Sequence, residues 1–453
     1  ALVVAGLAAL AIVLSIIILE ENWQLENRFG FVGSLLIISL FVTVLLGSMF
    51  LSLQPESLLH IKKNVRKVFA ENRDSGFSSA LKMSRESLEK TFVRNFYFRK
   101  KLLTLNAESK IFTLGFSPTT KVIIGKDNWF FEGYGGRRVE KDIVGSFDNV
   151  TDYMGQNPFT ESDLEAWRIA LEERYYWLKE RGSSYIFALA PTKALVYPEK
   201  LPERILKMKQ KLNLPTRYDQ LIIYLREKSI VPVVDLREAL LAAKEDNPAI
   251  PLYYRTDFHW NYYGALCAYQ AIIDGINAAY PRYQLKAGQV EEFVRKEKTN
   301  WVHARFMGMV GLDPLRHQND TYFSFFPKPE SKYALIYNFG KNGISDHTLP
   351  KIEAKRFGRS KFGVREIDNP NGKMDMMFIV GDSFIEKTLG YFSLHSKKVL
   401  NFRVVTNFPT GPFTIMGMKP EIVVQEVLNM YLLQPPPGNP PQVREARVRA
   451  LNN

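Results

Sequence analysis

Residues 374–384 read MDMMFIVGDSF. Met376 to Val380 form a short, uninterrupted apolar run that stops at Gly381-Asp382-Ser383. Such a run, bounded by turn residues, fits a strand buried on both faces, as in a parallel sheet. The glycine is expected to permit the turn, and the turn to carry Ser383 to the end of the strand.

Similar runs occur on both sides. Upstream, 121–133 (KVIIGKDNWFFEG) reads as a β-branched strand, a turn and an aromatic strand. Residues 160–182 read as a helix, with Thr160 or Ser162 as cap, acids in its first turn and Gly182 as its stop. A buried strand is expected at 184–190, a helix at 216–228, a strand at 230–236, and helices at 237–245 and about 263–279. KKVLNFRVV and PEIVVQEVL add two strands downstream. Strands and helices alternating at this spacing predict an α/β domain with a parallel sheet flanked by helices. Residues 284–370 are irregular, and 436–453, rich in proline and then basic, read as an extended or disordered tail.

Residues 1–19 and 31–53 carry no charged side chain. Each is long enough to cross a bilayer, which takes about 20 apolar residues. The expected organisation is two transmembrane helices over 1–55, a basic helical connector over 56–120, a catalytic domain over 121–435 and the tail. Lys62, Lys63, Arg66 and Lys67 follow the second span, whereas only Arg28 lies between the spans. By the positive-inside rule that cluster places the domain in the cytoplasm. The formal net charge of the 453-residue chain is +13. The charge is spread along the sequence, which together with two apolar spans argues against a nucleic-acid binder. A single cysteine, Cys267, precludes an intramolecular disulfide and reads as core. No P-loop, GxGxxG, HExxH or CxxC occurs, so neither a metal nor a cofactor is expected.

A serine at the carboxyl end of a strand in an open α/β sheet stands where such folds place their sites. It needs a base. His259, one of six histidines, lies in Arg255-Thr256-Asp257-Phe258-His259-Trp260-Asn261, two residues after an acid. In an extended segment, residues i and i+2 share a face. Asp257 then holds one imidazole nitrogen and leaves the other for Ser383, the division of labour of a triad. The structural alternative has Asp382 or Ser383 capping a helix, Asp257 capping another, and His259 packed among aromatics.

GDSF resembles the nucleophile block of SGNH hydrolases. Combined with TDFHWN, it is similar to the alginate O-acetyltransferase family of the AlgJ and AlgX type. VIIGKDNWFFEG, APTKALVYPEKLP, VVDLREAL with LYYRTDFHWNYYGA, and PEIVVQEVLNMYL extend the likeness over roughly 90–435. The resemblance implies an SGNH-like domain, membrane-anchored, with Ser383 as nucleophile, His259 as base and Asp257 as its orienter. It implies acetylation of an exported polysaccharide, with acetyl supplied through a membrane-bound O-acyltransferase partner. It places the chain in a bacterial inner membrane with the catalytic domain in the periplasm, against the charge count, and the resemblance is preferred. The sequence departs from the family in having two spans rather than one, and it lacks a recognisable second oxyanion block. The Ser383 N–H is one expected oxyanion donor. Asn401, Arg403 and Asn407 are candidates for another; Lys193 is either structural or in contact with an acidic sugar, and Trp260 is a candidate for substrate contact. A deacetylase or esterase with the same triad, or a non-catalytic polysaccharide-binding assembly subunit, are the alternatives.

Overall fold

The computed structural model describes Lys63 and residues 99–133, 149–299, 305–313, 321–327, 336–339, 364–414, 417–432, 435–436 and 438–452. Both apolar stretches expected to span a membrane, and most of the connector, lie outside these residues. Among the described residues, no helix is long and apolar enough to cross a membrane. The chain divides into units Ala1–Ser109 and Lys110–Asn453. In the first unit, Arg99–Glu108 is helical (α1).

The second unit is built on a seven-stranded sheet. Its strands are β3 (Ser184–Ala190), β4 (Val233–Asp235), β7 (Ile336–Phe339), β8 (Val364–Asp368), β9 (Met374–Gly381), β10 (Ser396–Arg403) and β11 (Ile422–Leu428). The order is β4-β3-β11-β9-β10-β8-β7. The first five strands run parallel, and β8 and β7 add an antiparallel edge. Two hairpins lie apart from this sheet: β1 (Val122–Ile124) with β2 (Phe130–Glu132), and β5 (Phe293–Thr299) with β6 (Thr321–Pro327). The second hairpin and β7–β8 account for much of the region that the sequence leaves irregular. Its strands carry charged and aromatic residues without a clean period, so pairing rather than pattern defines them.

Burial explains the apolar runs. Met377 to Val380 in β9 are fully buried, between β11 and β10 and under helices. One parity of residues (Tyr185, Phe187, Phe378, Leu400, Val423) packs with Trp167 and Trp177 of α2 (Glu161–Lys179) and Leu221 of α3 (Arg217–Lys228). The opposite parity meets α5 (Tyr262–Ala279), which follows α4 (Leu236–Asp246): a Cβ on Gly275 of α5 would lie 2.4 Å from Val234 Cγ2. Each fully buried large apolar side chain contributes about 1.5–3 kcal/mol. Thr160 caps α2 and Thr216 caps α3, each through a reciprocal box with an aspartate three residues on. Gly182, at φ +77°, ends the turn after α2.

The tail is a correction. Pro441–Asn452 forms a helix, α6, with Val443 and Ala446 fully buried. It packs along α2, where Arg447 pairs with Glu172 at 2.9 Å and Arg449 with Glu180 at 2.8 Å. The prolines precede the helix or open its first turn, where no amide donor is needed. Composition therefore reads as a disordered tail what is a docked helix. Before it, Asn439 donates to the Ala170 carbonyl and to Glu173, and accepts from the buried Arg174 guanidinium. Arg174 also reaches Gln425 of β11 and the Thr406 carbonyl.

Candidate active site

The serine turn follows β9. Ser383 is half-buried, whereas Asp382 and Phe384 are buried. Asp382 spends both carboxylate oxygens on backbone amides: Phe384 N–H at 2.8 Å and Leu428 N–H at 3.1 Å. The first closes the turn and the second ties it to the end of β11. Gly381 is required for space and not for backbone freedom. A Cβ there would lie 2.7 Å from Glu426 Oε2 and 2.9 Å from Ile385 Cγ2, and its φ is not positive. The turn needs no left-handed residue, which corrects the expectation for this glycine.

The second half of the site is a closed loop before α5. Asn261 N–H donates to the Leu252 carbonyl at 2.8 Å, Tyr254 N–H to the His259 carbonyl at 3.2 Å, and Tyr253 bridges Trp260. Residues 255–258 bulge out between these ties. Their carbonyls are anchored from several directions. Phe130 N–H of β2 donates to Arg255 O at 2.8 Å, and Phe306 N–H donates to Thr256 O at 3.1 Å. Asn261 caps α5 by accepting from Tyr263 and Gly264 N–H, so Asp257 is not the helix cap.

Asp257, His259 and Ser383 meet across 124 residues of sequence. His259 Nε2 lies 2.7 Å from Ser383 Oγ, and His259 Nδ1 lies 2.6 Å from Asp257 Oδ1. Asp257 Oδ1 also accepts the His259 backbone N–H at 3.0 Å. The acid and base thus meet in a tight turn rather than along an extended strand, though the side chains pair as expected. Trp260 Nε1 donates to the Phe384 carbonyl at 2.8 Å and joins the two halves directly.

Electrostatics keep the imidazole neutral. Burial lowers the His259 pKa, Asp257 raises it, and the cations of Lys387 and Arg305 lower it, leaving it below the ordinary histidine value. Burial alone would raise the Asp257 carboxyl, but its hydrogen bonds from His259 outweigh this and hold it low. Acid and base are therefore poised as carboxylate and neutral imidazole. Among the described residues, no group of three His, Cys, Asp or Glu side chains is placed to hold a metal ion.

The remaining expected site residues divide. Lys193 is buried, and its ammonium donates to the carbonyls of Tyr254 (2.9 Å), Arg255 (3.1 Å) and Asp257 (2.7 Å). It is a clamp on the acid–base loop, with its donors directed at backbone rather than at a sugar. Trp260 is fully buried and is a tie, not a substrate platform. Asn401 is also buried and donates to Ile379 O. All three turn inward; sequence marks polar or aromatic residues near the motif but not which way they point. Arg403, beside Gly381 at the end of β10, pairs with Glu386, which also binds Arg365. Asn407 is exposed, and no hydrogen bond joins it to the triad among the described residues. Sequence reading missed Lys387, Arg305 and Glu426. Lys387, four residues after Ser383 in a helical segment, had a spacing signal; the other two are brought in by tertiary packing.

The clamp yields a prediction. Lys193→Met removes the ammonium from three carbonyls; that of Arg255 keeps the Phe130 N–H, and losing the bonds to the other two costs about 1 kcal/mol or more each. Stability should fall by roughly 2 kcal/mol in denaturant unfolding and kcat should fall with it, while KM stays near the parent value. A rise in KM alone would restore Lys193 to a substrate-binding role.

Residues 122–333 match the family model described as "SGNH hydrolase-like domain, acetyltransferase AlgX". The matched segment contains Asp257 and His259, and Ser383 lies beyond it. No curated protein matches the chain. Among solved structures, the chain is similar to Bacillus cereus PatB1 with a sulfonyl adduct (16% identity, 69% of this chain, 97% of that one, TM-score 0.46). It is similar to the O-acetyltransferase domain of Pseudomonas putida AlgJ (18% identity, 72% and 99%, TM-score 0.43). It is also similar to Pseudomonas aeruginosa AlgX (16% identity, 68% and 61%, TM-score 0.39). Residues 122–333 are therefore similar to an SGNH hydrolase-like domain of the acetyltransferase AlgX type, and that segment carries the Asp257–His259 pair.

Proposed function

We propose that the chain transfers acetyl groups onto hydroxyls of an exported polysaccharide through an acetyl ester on Ser383. The observation that supports this most is the unbroken hydrogen-bonded line Asp257–His259–Ser383. His259 Nε2 takes the proton as Ser383 Oγ attacks the acetyl carbonyl. Asp257 holds the Nδ1–H and stabilises the imidazolium. The imidazolium then returns the proton to the departing donor group. A sugar hydroxyl repeats the sequence in reverse: it gives its proton to His259, attacks the acetyl ester, and Ser383 Oγ recovers the proton. The oxyanion is expected to meet the Ser383 N–H, which has no hydrogen-bond partner among the described residues. Arg403 and Asn407 remain candidate contacts beside it.

The setting follows the same reading. Residues 1–19 and 31–53 anchor the chain in an inner membrane, the catalytic unit works in the periplasm, and a membrane-bound O-acyltransferase partner supplies acetyl. The basic cluster after residue 60 meets an anionic lipid or partner surface on that side.

Transfer and hydrolysis share the acetyl-enzyme, and the acceptor separates them. The test incubates the full chain in detergent with an acetyl-ester chromogen and a polysaccharide oligomer, and follows acetyl by mass spectrometry. Acetyl on the oligomer exceeding free acetate supports transfer. Free acetate alone makes the protein an esterase, and no turnover leaves the binding-subunit reading.

A pH profile follows from His259. The base works neutral, and its pKa is depressed in the folded protein. Activity should hold as pH falls through the ordinary histidine range near 6.5 and decline only below it. A kcat/KM profile with its acidic midpoint above about 6.5 would contradict this.

A further inference from the structure

Glu426 lies on β11, directly beneath the serine turn, and is fully buried. The triad does not use it. Its Oε2 accepts the Asp382 N–H at 3.3 Å. The same Oε2 occupies the place a side chain on residue 381 would need. Its Oε1 has no hydrogen-bond partner among the described residues. A buried carboxyl with an orphaned oxygen is costly, so an apolar residue would serve packing better here.

Two carboxyl groups thus claim the amides around the nucleophile. Glu426 takes that of 382, and Asp382 takes that of 384. The amide of 383 is left over. Burial raises both carboxyl pKa values, Asp382 to about 6 and Glu426 well above its ordinary value. Asp382 accepts an amide on each oxygen, which favours its anion.

We infer that Glu426 is a positioning residue for acetylation of Ser383: by holding the Asp382 N–H and filling the space beneath Gly381, it fixes the turn so that the Ser383 N–H faces the developing oxyanion. This rests on the reading of Ser383 as nucleophile. The requirement is an acceptor oxygen at the reach of a glutamate side chain. Glutamine meets that requirement. Aspartate keeps the carboxyl but withdraws it by one methylene, and leucine keeps most of the volume without an acceptor.

The experiment measures kcat and KM for the acetyl-ester chromogen, with unfolding midpoints, for full-length Glu426→Gln, Glu426→Asp, Glu426→Leu and Ser383→Ala. The expected result is Gln within threefold of the parent, and Asp and Leu reduced about 30-fold or more in kcat with KM nearly unchanged, since losing one transition-state donor costs about 10²-fold or more. If Glu426→Leu does not fold, the order of Gln against Asp decides. Asp or Leu folded with kcat within threefold of the parent would overturn the inference, as would Gln falling as far as Asp. Full activity in Ser383→Ala would instead overturn the underlying reading of the serine.

Discussion

Ser383→Ala is expected to reduce turnover of an acetyl ester by about 10⁴-fold or more while leaving the fold intact. The hydroxyl sits 2.7 Å from His259 Nε2 and is half-exposed, so its loss opens no core cavity. The unfolding midpoint should therefore hardly move. His259→Ala should cost about as much, and the double variant little more than either single one, because nucleophile and base act as one unit. Kinetics on the purified variants, with unfolding curves alongside, check this. Additive losses would mean that the two residues do not work in the same step.

Asp257→Asn should cost on the order of 10³–10⁴-fold in kcat. Asp257 Oδ1 accepts both the ring Nδ1–H and the backbone N–H of His259. A neutral amide there no longer balances the imidazolium that forms as Ser383 loses its proton. The sign on the residual pH profile is fixed as well. Asp257 raises the His259 pKa against burial and two neighbouring cations. Without that charge the pKa drops further, and the acid limb of the remaining activity should move to lower pH. A limb that stays in place, or a loss under tenfold, would show that Asp257 does not orient and charge-balance the base.

The frame of the sheet was legible in the sequence because burial leaves a plain mark. Ser184–Ala190 and Met376–Val380 are apolar runs, and they are parallel strands covered on both faces. The Thr160 cap and the Gly182 stop were equally readable, since each answers a local backbone need. Two residues of the triad were legible as a short acid–histidine motif, and the third as a serine at a strand end. What the sequence concealed is direction. Lys193 could be read equally as structural or as a contact for an acidic sugar, and it turns inward to three carbonyls. Gly381 looked like a turn residue but makes room for Glu426. The final helix was hidden by prolines that introduce it. Each of these depends on contacts across the fold, which local composition does not carry.

The central claim is a covalent acetyl on Ser383 during turnover. Rapid quench of the full chain with an acetyl-ester donor, proteolysis and mass spectrometry of the peptide carrying Gly381-Asp382-Ser383 measures it directly. The expected result is an acetyl mass on Ser383 that forms within one turnover, is absent in His259→Ala, and falls as acetyl appears on an added sugar oligomer. Steady turnover with no acetyl on Ser383, or with acetyl on another residue, would contradict it.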